Sequence, residues 1–539
     1  MKIKKTISIL LVITILSTLF ISTIPVASAF ELSSQCETGC IPESRTPDIS
    51  TPVPEYSGDL LSSVDLSESQ SFPCVRSQSS IKSCSAWATT YYQFGYQVAA
   101  MNGWNAKTNS NYQFSPKYIF NLNNNGMNTG ISQESAYKTL NLLGAVSYSS
   151  FSPSGSNSSS EYRAWCTDTN AMYEALKYRV SEYTLKKFSN KNINTPIFNP
   201  NAECLDDMKS LLCNGYVLTI ETYFSSLDYD YLPTQNNLSF SGQLVCIKNK
   251  GSNGLHAMAV VGYDDDIWYD YNEDGLKQSN EKGAFKLVNS HGTNYGNSGY
   301  IWVMYDALNK VSNFSSQNVT NRHPVFNNYY YNFIEVSSYP VDLVAEVTLV
   351  QSARNQIDLD LGISELSSTN PLYNNTFMSN IGNAYNFNGV WGVSSNATFV
   401  FDYFELFQLP SIRKAFYLSV TDSQGGSDTT VNKVEFIDKS GHTVAADTNS
   451  EGLSGNSKVY RYRIGLLGDV DNSGTVEITD STKISRYLVG LEPLLSTEDL
   501  AVADTDGDGS VSIIDATNIQ RYLADIIDYL PGGFLVDLN

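Results

Sequence analysis

GDVDNSGTVEITDSTKISRYL (468–488) and ADTDGDGSVSIIDATNIQRYL (503–523) are one pattern written twice, offset by 35 residues. Each copy sets oxygen-bearing side chains at alternate positions, a glycine at the sixth, and then a run to Arg-Tyr-Leu that reads as a helix. A flexible oxygen cage for Ca²⁺ needs that order: ligands at loop positions 1, 3, 5, 9 and 12, a backbone carbonyl at 7, and glycine at 6 for the turn. The first copy supplies Asp469, Asp471, Ser473, Glu477 and Asp480 around Gly474, with the Thr475 carbonyl. The second supplies Asp504, Asp506, Asp508, Ser512 and Asp515 around Gly509, with the Ser510 carbonyl. Two copies in register predict two bound calcium ions, each loop opening a helix.

The other end of the chain predicts export. MKIKK is a basic start, TISILLVITILSTLFISTIPV is apolar, and Ala27-Ser28-Ala29 has the form of a signal-peptidase site. Residues 1–29 therefore read as a signal peptide, and no later run is apolar enough to span a bilayer. Formal charge is −21, from 34 basic and 55 acidic residues, which disfavours nucleic acid and anionic membranes as partners. The eight cysteines (36, 40, 74, 84, 166, 204, 213 and 246) all lie in the first half. If one is a free thiol, the seven that remain cannot all pair within the chain, so the protein is not a disulfide framework.

Between these ends the pattern changes twice. Residues 30–60 are rich in Ser, Pro and Thr and read as a linker or short prosegment. Residues 61–325 mix helical stretches (FSPKYIFNLNN, SQESAYKTLNLLGAV, LDDMKSLLCNG) with strands (YVLTIETYF, HAMAVVGYDDD, GAFKLVNSHG, SGYIWVMY). Ser/Asn/Pro-rich pieces such as SNKNINTPIFNPN read as surface insertions. Residues 328–462 alternate apolar and polar residues in short runs split by Gly, Asn and Ser, which predicts a β-sandwich.

Cys84 stands in QSSIKSCSAWATTYY, just before a helix with an apolar face. A helix N-terminus favours a thiolate there. A nucleophile also needs a base, an orienter for that base, and donors for the oxyanion. His256 heads the strand HAMAVVGYDDD, Asn289 ends the next strand in KLVNSHGTNYGNSGY, and Gln78 lies six residues before Cys84.

In this order and with these flanks, residues 61–310 resemble the papain family of cysteine peptidases, whose site runs QGxCGSCWAF, HAVxxVGYG and NSWGxxWGxxGY. The resemblance implies a two-lobed α+β fold. It implies Cys84 as nucleophile, His256 as base, Asn289 as orienter of the imidazole, and Gln78 with the Cys84 N–H as oxyanion donors. Catalysis would use no cofactor. Three positions depart from the family: Ser85 for the Trp after the nucleophile, His291 for the Trp of NSWG, and Ile81 for a disulfide cysteine. His291 reads as a smaller planar substitute for that Trp. The family's long helical propeptide has no counterpart in residues 30–60, which leaves Cys36 or Cys40 as the available masks for Cys84.

Residues 466–530 resemble dockerin modules, which anchor secreted enzymes to cohesin domains on a scaffolding protein. That resemblance implies a cell-surface multi-enzyme complex for polysaccharide breakdown. It places loop positions 10 and 11 against the cohesin: Ile478 and Thr479 in one copy, Ile513 and Ile514 in the other. The whole reads as a multidomain chain: α+β peptidase, all-β sandwich, small α calcium-binding dockerin. It would hydrolyse protein or peptide substrates through a Cys84 acyl-enzyme. A catalytically inactive binding module and an acyl transferase are the alternatives.

Overall fold

The computed structural model describes residues 38–48, 50–188, 205–234, 239–368, 373–403, 413–426, 428–492 and 496–538. The expected signal peptide, Cys36, Cys204 and the whole SNKNINTPIFNPN insertion lie outside them.

A helix opens at Cys84. It is α-helical over Cys84–Ala86, π-helical over Trp87–Phe94 and α-helical again over Gly95–Asn102. Its side chains Trp87, Tyr91, Tyr92 and Tyr96 pack on Ala259, Val261 and Val288 of a sheet. Helices Pro116–Asn123 and Gln133–Leu143 each begin at a serine whose hydroxyl accepts a backbone N–H, Ser115 from Tyr118 and Ser132 from Ser135.

The sheet has nine strands. Its order is Tyr178–Lys187, Tyr330–Ser338, Leu218–Tyr223, Leu255–Trp268, Lys282–Val288, Tyr300–Met304, Leu244–Asn249 and Leu227–Tyr231, with Ser63–Asp65 added onto Leu255–Trp268. All pairs are antiparallel except 244–249 with 300–304. Residues 256–263 are buried without interruption, as expected for a central strand covered on both faces. Among the described residues no helix is long and apolar enough to cross a membrane.

The boundary expected near 325–328 does not hold. Tyr330–Ser338 pairs along Tyr178–Lys187 in the first sheet, so it belongs with the helices and not with the sandwich. Its alternation is genuine, but alternation says which face is buried, not which sheet a strand joins. The sandwich proper has two five-stranded sheets. One holds Leu343–Gln351, Ser395–Asp402, Thr429–Asp438, Thr443–Asp447 and Glu451–Leu453. The other holds Tyr373–Ser379, Ile357–Glu365, Lys414–Asp422, Ser457–Leu466 and Leu535–Asp537. That last strand follows the duplicated segment, so the end of the chain returns to pair with 457–466.

The sandwich is fused to the helical lobe through a buried contact. Trp165 donates from Nε1 to the Asn121 carbonyl at 2.9 Å, meets Phe387 and Phe399, and carries the Arg354 guanidinium 4.2 Å above its ring. Arg179 and Asp402 form a buried ion pair at 2.6 Å between strand 178–187 and the sandwich.

The duplicated segment forms helices Ile478–Leu488 and Ile513–Leu523, bridged by Thr497–Ala503. Ser481 Oγ donates to the Ala516 carbonyl at 2.9 Å where the two copies cross. Arg413 donates to the Asp469 carbonyl at 2.6 Å, tying this module to the sandwich.

Candidate active site

The helix beginning at Cys84 and the strand beginning at Leu255 meet at their ends. Cys84, Ala88 and Ala257 form one buried cluster, which places the thiol beside the strand residue next to His256. Cys84, His256 and Asn289 are all fully buried. His256 Nε2 and Asn289 Oδ1 are 2.8 Å apart. Oδ1 also accepts the Ser290 N–H at 2.7 Å, and the Asn289 amide Nδ2 donates to His291 Nδ1 at 3.0 Å. With Nε2–H donating, His256 keeps its lone pair on Nδ1, which is buried and has no hydrogen-bond partner among the described residues.

His291 does more than fill the place of a ring. It accepts from Asn289, lies 4.9 Å from the His256 centroid, and shares Phe224 with it at 5.1 and 5.0 Å. Burial, and then the neighbouring His256, hold it well below the ordinary histidine range, so it stays a neutral acceptor.

Gln78 packs on the same loop. Its N–H bonds the Ser290 carbonyl at 2.7 Å and its Oε1 accepts the Ser290 hydroxyl at 2.6 Å. The Ser290 hydroxyl on Oε1 assigns the amide its oxygen and nitrogen ends. Nε2 donates to the Ile81 carbonyl at 2.8 Å, and an amide nitrogen carries two N–H groups. The structure thus brings Gln78, Cys84, His256 and Asn289 to one cleft. Ser85, at the family's Trp position, is buried and bonds the Ile131 carbonyl at 2.8 Å.

Residues 38–48 and 50–60 are not a loose linker. Gly39–Ile41 lies in the cleft itself: Gly39 O accepts from Ile131 N at 3.3 Å, Ile41 N donates to Ile131 O at 3.1 Å, and Cys40 N donates to Leu255 O at 3.4 Å. The approach is so close that a Cβ on Gly39 would collide with the Lys82 carbonyl, and one on Gly130 with the Gly39 carbonyl. Cys40 packs against the Cys84–Ala88–Ala257 cluster, and its Sγ is 3.5 Å from Glu221 Oε1. Beyond it, Arg45 donates to Asn332 Oδ1 at 2.6 Å, Asp48 N to Leu185 O at 2.9 Å, and Ser210 Oγ to Pro54 O at 2.8 Å. The composition reads as a linker because a strap held by scattered single bonds carries no periodicity.

Burial sets the electrostatics of this cluster. Burial pushes the Cys84 thiol up, although backbone N–H groups of Ala257, Gly39 and Ser85 pull against it. Burial lowers His256 to about 4. Both groups are therefore neutral with the strap in place, because desolvation penalises each charged form. Glu221, also buried, is raised to about 7. Sequence reasoning passed over Glu221; its only signal was a lone acid inside the apolar strand LTIETY.

In the C-terminal module, carboxylate oxygens of Asp469, Asp471 and Asp480 lie within 4.8 Å of one another, as do those of Asp504, Asp506 and Asp508. That donor set, all hard oxygen, fits a calcium ion. Ile478, Ile513 and Ile514 are more than half exposed, and Thr479 is exposed beside them.

Residues 467–524 match the family model of the dockerin type I domain. No curated protein sequence matches the chain. Among solved structures, xylellain, a cysteine protease from Xylella fastidiosa, is similar over 57% of this chain and 99% of its own, at 17% identity and a TM-score of 0.34. Procathepsin L 3 of Tenebrio molitor larval midgut covers 55% of this chain and 76% of its own (15%, 0.34). Procathepsin B S9 from Trypanosoma congolense covers 56% and 87% (16%, 0.36).

Proposed function

We propose that the chain is a latent cysteine endopeptidase of the papain type, carried to a cohesin-bearing scaffold by its dockerin. The observation that supports this best is the 2.8 Å contact of His256 Nε2 with Asn289 Oδ1, which leaves Nδ1 unprotonated in the cleft that holds Cys84 at a helix start. In the reaction, Cys84 Sγ attacks the scissile carbonyl carbon as His256 Nδ1 takes the thiol proton. The carbonyl oxygen gathers charge facing the Cys84 N–H and the Gln78 amide. Collapse passes the proton from His256 to the leaving amine and leaves a thioester on Cys84. Water, deprotonated by His256, then releases the acid.

With the strap bound, substrate has no entry to Cys84 and the thiol is neutral. Departure of residues 38–41 admits water and substrate, lifts the desolvation penalty, and lets the thiolate–imidazolium pair form. Export, docking on an extracellular complex, calcium in the two dockerin loops and a role beside polysaccharide-degrading enzymes belong to the same reading. They are supported by the dockerin match and by the signal-like start of the sequence. The reading is tested by casein cleavage after limited proteolysis of the strap. Activity should appear on cleavage and be absent in Cys84→Ala. Activity that survives Cys84→Ala would remove it.

A further inference from the structure

The loop between the His256 strand and the Asn289 strand reads Asp270-Tyr-Asn272-Glu-Asp274-Gly275-Leu276-Lys-Gln278-Ser-Asn-Glu281. That is the twelve-residue calcium-loop pattern D-x-[DN]-x-[DN]-G-x5-E in full, with Glu at position 12. It joins strands Leu255–Trp268 and Lys282–Val288 of the nine-stranded sheet, far along the chain from the dockerin.

The same chain provides the comparison. In the two loops inside the dockerin match, the position 5 N–H bonds the position 1 carboxylate, Ser473 to Asp469 at 2.9 Å and Asp508 to Asp504 at 3.1 Å. Asp274 bonds Asp270 in the same way at 3.2 Å. The position 6 glycine N–H bonds the other oxygen of position 1 in all three, at 3.1, 2.8 and 2.8 Å for Gly474, Gly509 and Gly275. The position 12 carboxylate accepts from positions 2 and 9 in all three: Asp480 from Val470 and Glu477, Asp515 from Thr505 and Ser512, Glu281 from Tyr271 and Gln278. Positions 4 and 6 are left-handed throughout, with φ 61 and 74° at Glu273 and Gly275 against 60 and 91°, and 72 and 89°, in the dockerin.

A second observation is independent of loop shape. Glu281 is fully buried, and its carboxylate faces only N–H donors, those of Trp268, Tyr271 and Gln278. Among the described residues no Lys, Arg or His is paired with it. A buried carboxylate without a counter-ion is costly unless a cation is nearby. We infer that residues 270–281 form a third calcium site, held by Asp270, Asn272, Asp274, the Leu276 carbonyl and Glu281, which ties together the hairpin carrying His256 and Asn289.

The test is ion stoichiometry on the full chain, stripped with chelator and titrated with CaCl2 by calorimetry and native mass spectrometry. Because the count of dockerin ions rests on the proposed function, the dockerin loops are disabled in one arm. Asp469→Asn with Asp504→Asn should still bind one calcium, and adding Asp270→Asn and Asp274→Asn should abolish it. In that arm Tb³⁺ should show luminescence excited through Trp268, lost in the quadruple variant. Asp274 is exposed and Asp270 partly so, and a near-UV spectrum like that of the parent will show that the quadruple variant is folded. A dockerin-disabled chain that binds no calcium and gives no Tb³⁺ signal overturns the third site. So does a bound ion that persists in the quadruple variant.

Discussion

His256 and Asn289 meet through Nε2 and Oδ1 at 2.8 Å, which leaves Nδ1 as the nitrogen that, in the proposed peptidase, would take the Cys84 proton. Asn289→Ala removes the acceptor and frees the ring to turn. In strap-released enzyme kcat should fall by roughly 10²–10⁴-fold, the usual worth of a placed general base. Gln78→Ala should cost roughly 10²-fold in kcat with KM little changed. Steady-state kinetics on a peptide substrate checks both, and a pure KM effect at Gln78 would place it on substrate rather than on the oxyanion.

His256 and His291 give the closed form a pH dependence of definite sign. In the unfolded chain both take protons below about 6.5, whereas burial holds His256 neutral down to about 4 and His291 lower still. The unfolded state then binds more protons between about 6.5 and 4, so stability falls as pH falls through that window. Urea midpoints across it should drop, and the slope should be shallower in His256→Gln. An unchanged slope would mean that His256 is not buried neutral.

A chain cut after residue 325 should not fold. It lacks Tyr330–Ser338, which separates strands 178–187 and 218–223 in the sheet, and it bares Trp165, whose ring otherwise packs on Phe387 and Phe399. Loss of a cooperative melt checks this; a well-folded, soluble 325-residue product would show the sandwich to be dispensable.

Cohesin binding should depend on calcium and lean on one of the two dockerin faces. Ile513 and Ile514 are both exposed aliphatics, whereas the other copy offers Ile478 and Thr479. One extra buried aliphatic is worth about 1.5–3 kcal/mol, so Ile513→Asp with Ile514→Asp should weaken binding more than the same changes at Ile478 and Thr479. Calorimetry against a cohesin checks the order.

The dockerin loops, the helix at Cys84 and the strands around His256 and Asn289 were all legible in the sequence. Each is local: a spacing of ligands, a cap, a period. Most sandwich strands were legible for the same reason. What escaped was non-local. Nothing in VSSYP or YYYNF says that 330–338 joins the first sheet, and nothing in the return of 535–537 to strand 457–466 is periodic. The strap escaped because its bonds are single and scattered. The twelve-residue D-x-N-x-D-G-x5-E spacing at 270–281 also stands in the sequence, just after the strand HAMAVVGYDDD.

The most direct measurement is peptide mapping of thiol adducts formed by an epoxide inhibitor before and after limited proteolysis of residues 38–60. Intact protein should leave Cys84 unlabelled, because Gly39–Ile41 covers it. After the strap is cut and removed, Cys84 should take up the label stoichiometrically, and His256→Ala should slow that uptake. Failure of Cys84 to react once the strap is gone, while Cys74 or Cys213 does react, would contradict a nucleophilic Cys84 held latent by its own N-terminal segment.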